Sequence, residues 1–81
     1  MHAIQLLPKK NVLLQTGLSH TKLYQEIRRK KFIPPVKVGK RSLWPAHEIE
    51  EICRAWIAGR TDAEITALVT ALEAARKSQN A

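Results

Sequence analysis

The chain has 81 residues, 44% of them hydrophobic and 26% charged, with a formal net charge of +7. A chain of this length holds one domain at most and buries only about 60% of the surface that its unfolded form exposes. No apolar run approaches the ~20 residues of a membrane-spanning helix, and the single cysteine, Cys53, has no partner for an internal disulfide.

Charge is unevenly distributed. Residues 1–45 hold ten Lys/Arg against one acid, Glu26, whereas residues 46–81 hold four against six acids. The halves therefore carry +9 and −2. Solubility alone needs no such segregation, so the basic half is expected to face a polyanion. The start, Met1 to Leu7, has neither the basic region nor the long apolar stretch of a signal peptide. The expected location is the cytoplasm.

In chain order, residues 1–7 form a short lead, a strand or an extended arm, with Leu6 and Leu7 available to the core. Pro8 suits a first helical turn, where its missing N–H needs no partner. The first helix then runs over about Pro8–Gln15, with Val12 and Leu13 inward. Thr16-Gly17 ends it, glycine taking the left-handed C-cap conformation. Leu18 plugs the corner, and Ser19 caps a second helix through its hydroxyl.

That second helix, residues 20–31, turns Leu23 and Ile27 to the core. Thr21, Gln25, Arg28 and Arg29 fall on the opposite face, with Lys22 beside them and Tyr24 at the border. Helix, tight turn and basic second helix make the outline of a helix-turn-helix over residues 8–31. Phe32-Ile33-Pro34-Pro35 breaks it, because the residue before a proline avoids the helical region.

Val36-Lys37-Val38 and Ser42-Leu43-Trp44 read as a hairpin around Gly39-Lys40-Arg41. A three-residue loop puts Val36, Val38 and Trp44 on one face, whereas a two-residue Gly39-Lys40 loop pairs Val36 with Leu43. The alternation fits both. Pro45 starts a third helix, about Ala46–Ala58, with Ile49, Ile52, Cys53, Trp56 and Ile57 as its stripe. Gly59 closes it. Thr61-Asp62-Ala63-Glu64 has capping-box spacing for a fourth helix reaching about Ser78, with Ile65, Leu68, Val69 and Leu72 inward and Ala75 a further candidate. Gln79–Ala81 are expected to fray. The fourth helix either folds back on the third or pairs with its copy in a dimer; the sequence favours neither.

The basic half supplies what reading DNA requires. Short or planar hydrogen-bonding side chains near a helix N-terminus reach base edges, and flanking cations hold phosphates. Ser19, His20, Thr21, Lys22 and Gln25 meet the first need. Tyr24, Arg28 and Arg29 meet the second, with Lys9 and Lys10 on the first helix. Cations at a helix end also complement its dipole, for roughly 0.3–1 kcal/mol, but that effect needs one or two of them, not the four of residues 28–31. Lys37, Lys40 and Arg41 lie at the hairpin tip, a basic wing suited to adjacent backbone or minor groove.

Catalysis and metals find no support in the sequence. His2, His20, His47 and Cys53 lack paired ligand spacing. No Gly-rich phosphate loop and no nucleophile–base pair is present. Glu48, Glu50 and Glu51 read as a solvated face. No catalytic residue, metal, cofactor, membrane partner or small-molecule ligand is expected.

Three stretches, in this order, resemble the AlpA family of prophage regulatory proteins. They are Thr16-Gly17-Leu18-Ser19-x-Thr21-x-Leu23-Tyr24; Phe32-x-Pro34-Pro35-Val36-Lys37-Val38-Gly39-x-Arg41-Ser42; and Trp44-Pro45-x-His47-Glu48-Ile49. The likeness covers about residues 6–60, and the stretch from Gly59 to Val69 is similar to the ending of some members. The family resembles MerR-like winged helix-turn-helix domains and phage excisionases. Three departures stand out. His20 occupies a position where Arg is frequent, Lys30-Lys31 replaces a usual glycine, and the return from Arg41 to Trp44 is one residue short.

The expected fold is thus mainly α with a small β-hairpin, a MerR-like winged helix-turn-helix plus a C-terminal helix. Residues 1–60 form the DNA-binding domain, and residues 61–81 a helical tail packed on it or used for dimerisation. The resemblance implies a bacterial or prophage protein binding double-stranded DNA in the nucleoid and regulating transcription of a prophage or mobile element. Ser19 to Gln25 would be the reading segment and Lys37 to Arg41 the wing. An excisionase-like protein that bends DNA is the alternative on the same fold, and a module for an acidic protein partner the alternative of another class. Small size favours association, as a homodimer or a cooperative assembly on tandem sites.

Overall fold

The structure, a computed structural model, describes residues 4–78. Its elements are β1 (Leu6–Pro8), α1 (Lys9–Thr16), α2 (His20–Arg28), β2 (Val36–Val38), β3 (Arg41–Pro45), α3 (Ala46–Ile57) and α4 (Asp62–Ser78). The fold is mainly helical with a small antiparallel sheet. Met1–Ala3 of the lead and the expected fraying of Gln79–Ala81 lie outside the described residues.

The sheet has three strands rather than two, in the order β1-β3-β2. β1 pairs with β3 through Leu6–Pro45, Leu7–Trp44 and Pro8–Leu43. Pro8 therefore ends a strand and caps α1 instead of opening the helix. The ladder continues into α3, whose first free N–H, at Ala46, donates to the Gln5 carbonyl at 2.9 Å. That bond satisfies a helix-terminal donor that Pro45 cannot cap with a side chain.

Gly17, at φ 74°, sends its N–H to Leu13 O and closes α1. The Thr16 hydroxyl donates to Val12 O and accepts from the Leu18 N–H, which tightens the corner. Ser19 then caps α2 by accepting from the Lys22 N–H at 3.1 Å.

α2 is shorter than its sequence suggests. It ends at Arg28, not Lys31. Lys31 N–H donates to Glu26 O and Lys30 N–H to Ile27 O, with Lys30 at φ 64°. This is a Schellman closure with lysine in the left-handed position usually held by glycine. The physical reason lies just downstream. Phe32 and Ile33 are fully buried, and a helix continued through Lys31 would not turn both under the domain.

The wing uses the two-residue loop. Val38 pairs with Arg41 and Val36 with Leu43. Gly39 takes φ 63° at the first central position, where a two-residue II′ hairpin needs glycine.

The core gathers Val12, Leu23, Phe32, Ile33, Trp44, Ile49, Ile52, Ile65 and Val69. Leu7, Leu13, Leu18, Ile27, Cys53, Leu68 and Leu72 pack against it. α4 thus lays Ile65 and Val69 into the same core, behind the reciprocal Thr61–Glu64 capping box. Ala75 is exposed. Two positions of the α3 stripe lie off the core. Ile57 is 86% exposed, and Trp56 lies at the rim, stacked on Phe32 with ring centroids 6.0 Å apart. The covered face of α3 is rotated toward Glu48, which is 1% exposed rather than part of a solvated face.

Candidate nucleic-acid interface

The Ser19 cap starts α2 just after the turn, so the side chains of its first turn project from the helix end. Ser19, His20, Thr21 and Lys22 are exposed, Tyr24 and Gln25 half-buried, and Arg28 and Arg29 exposed. Arg29 belongs to the Schellman turn, one residue beyond the helix.

Two contacts organise the front of α2. His20 and Tyr24, one turn apart, place their rings 5.0 Å apart at 53°. Lys9, the first residue of α1, brings its Nζ to 2.9 Å from His20 Nδ1, so a cation of the first helix is tied to the head of the second. Sequence reasoning placed Lys9 near the groove but gave no sign of this contact, because the residues are far apart in the chain.

Lys22 is exposed but not free. Its Nζ lies 2.9 Å from Glu26 Oε1, an i,i+4 pair and the basic half's one internal neutralisation. To reach a base, Lys22 must leave that carboxylate. Lys31, which sequence alone grouped with Arg28, Arg29 and Lys30, bonds Asp62 of α4 at 3.0 Å. Arg28, Arg29 and Lys30 have no acidic partner among the described residues.

On the wing, Lys37 donates across the hairpin to Ser42 Oγ. This fixes its ammonium over the pair that the strand register sets opposite each other. Lys40 and Arg41 are exposed and unpaired among the described residues. No acid lies within the wing itself: after Glu26, the next acid along the chain is Glu48.

No group of three or more His, Cys, Asp or Glu side chains converges as a metal site among the described residues. The Cys53 thiol is pushed up from its ordinary value of 9.0 by burial and then by the Glu50 charge, which disfavours the thiolate that nucleophilic chemistry needs. No helix among the described residues is long and apolar enough to cross a membrane.

A helix-turn-helix, followed by a short basic hairpin and held against further helices, defines a winged helix-turn-helix protein. The family model described as Prophage CP4-57 regulatory protein (AlpA) matches residues 5–61. The chain therefore belongs to the AlpA family of prophage regulatory proteins. No curated protein matches the chain, and no solved structure does.

Proposed function

We propose that the chain binds duplex DNA and regulates transcription of a prophage or mobile element, without catalysing a reaction. α2 lies in the major groove. Ser19, His20, Thr21, Lys22 and Gln25 face base edges, Tyr24, Arg28 and Arg29 hold the backbone, and Lys37, Lys40 and Arg41 of the wing meet adjacent backbone or minor groove. The observation that carries this reading is the set of exposed cations without acidic partners on the α2 end and the wing tip, beside a polar first helical turn. Membership of a prophage regulatory family supports it.

Salt titration of binding to duplex DNA is the test. Each neutralised phosphate contributes a slope of about −0.9 in log affinity against log salt. A steep slope is the expected result, and no binding even at low salt overturns the reading. Steep salt dependence with an acidic protein but not with duplex DNA would favour the interaction module instead. Bending assays on the element's attachment site and its promoters separate a regulator from an excisionase-like architectural protein, and stoichiometry on one site tells monomer from dimer or tandem assembly.

A further inference from the structure

The stem Phe32–Pro35 joins the α2 turn to the wing. Pro34 and Pro35 have no N–H to donate, and the stem forms no strand of its own. Instead, two successive stem carbonyls are taken by side chains from elsewhere. The Trp44 indole donates to Ile33 O at 3.1 Å. Arg76, near the end of α4, donates from Nη2 to Pro34 O at 2.7 Å.

Arg76 is itself fixed. Its Nε lies 3.1 Å and 3.0 Å from the two Glu48 carboxylate oxygens, and Nη2 lies 2.6 Å from Oε1. A buried carboxylate is costly unless it is paired and hydrogen-bonded, so Glu48 sets the plane of the guanidinium. The fork is rigid, so the orientation that Glu48 sets also places Nη2 at 2.7 Å from Pro34 O. An apolar pair of similar volume would hold α4 on α3 equally well. What it could not supply is the donor to Pro34.

We propose that Arg76, oriented by Glu48, is a positioning residue for the wing. The Pro34 carbonyl lies two residues before β2, and β2 is an edge strand held on one side only, by β3. Pinning the stem sets where Lys37, Lys40 and Arg41 project. The fourth helix is thereby coupled to DNA contact without touching DNA. This rests on the DNA-binding reading only where the wing meets DNA; the pinning itself does not.

The test uses the full chain with Glu48→Leu/Arg76→Leu, which keeps α4 packed and removes the donor, and Arg76→Lys, which keeps the charge and loses the fork. In the free protein, amide exchange in the wing should quicken about tenfold in both variants, with α3 protected as before. Unchanged wing exchange overturns the proposal. Duplex affinity is then measured in the native wing and in a Lys40→Ala/Arg41→Ala background. Loss of the fork should cost about fivefold or more with the native wing and under about twofold with the neutralised one, as coupled sites behave. Equal losses in both backgrounds would mean a merely structural role, and no loss in either would mean none. Should the double-leucine variant fail to fold, Arg76→Lys carries both readouts. If the wild-type chain binds no DNA, the proposed function falls and the exchange measurement alone decides the pinning.

Discussion

Of the ten Lys/Arg in residues 1–45, eight have no acidic partner among the described residues, and only Lys22 and Lys31 are paired. In residues 46–81, two of the four are paired, and one of those pairs is buried. The contrast is sharpest at the two ends of α4. Lys31 meets Asp62 at 3.0 Å with the Asp62 side chain 81% exposed. Arg76 meets Glu48 at 2.6 Å with side chains 21% and 2% exposed. The two pairs have similar contact lengths and opposite surroundings. Water screens the first pair; the second has little water to fall back on. The basic half keeps its charge available to a partner, while the acidic half uses charge to fix the chain on itself.

The largest test of that contrast is Arg76→Ala. It strands a buried carboxylate and should destabilise the fold by about 3–5 kcal/mol. Asp62→Ala or Lys31→Ala should change stability by under ~1 kcal/mol. Urea unfolding measures both, and equal effects would erase the distinction between the two ends.

On the basic side the effects should appear in binding rather than folding. Gln25→Ala should lose about 1–3 kcal/mol on the preferred site and little on other sequences. Arg28→Ala should weaken all sequences alike and make the salt slope shallower by about 0.9. Titrations of the preferred and a scrambled duplex at several salt concentrations read both, and the opposite pattern would mean that α2 presents a different face.

A smaller change is expected at Lys30. Lys30→Gly relieves the left-handed backbone and should raise stability by about 0.5–1 kcal/mol. If Lys30 meets a phosphate, the same substitution makes the salt slope shallower by about 0.9. Thermal melting and the salt titration together separate the two contributions.

The smallest effect concerns Glu64. The backbone N–H and then the hydroxyl of Thr61, with Arg60 nearby, hold its carboxyl below the ordinary 4.5. A lowered folded value means the contribution is complete above 4.5 and fades as pH falls through the lower value. Glu64→Gln keeps capping-box chemistry without the titration. The melting temperature of the wild type should therefore fall relative to that of the variant below the carboxylate range.

Much of the fold was legible because local rules govern it. Gly17, the Ser19 cap, the Thr61–Glu64 box and the α4 stripe each act over three or four residues. What escaped depends on partners remote in sequence. Glu48 stands beside Glu50 and Glu51 and looks like them; its partner is 28 residues away. Its one local sign is its position a turn before Ile52, on the covered face. Phe32 and Ile33 have no periodicity to mark them as core, since prolines follow at once. The wing register needed Gly39's backbone, because alternation fits two loops equally. At the interface, residue types were legible but pairings were not. Lys22–Glu26 has readable i,i+4 spacing, whereas Lys9–His20 and Lys31–Asp62 depend on how the helices pack.

The left-handed lysine has a consequence for how this domain could be altered. Glycine at position 30 suits the turn better, whereas lysine suits a polyanion better. A library selected only for heat resistance would be drawn toward glycine there without any visible damage to the fold. If Lys30 meets a phosphate, that library would also shed binding strength, and selection on duplex DNA would restore the lysine. On that condition, position 30 is a place where the two selections pull one codon in opposite directions.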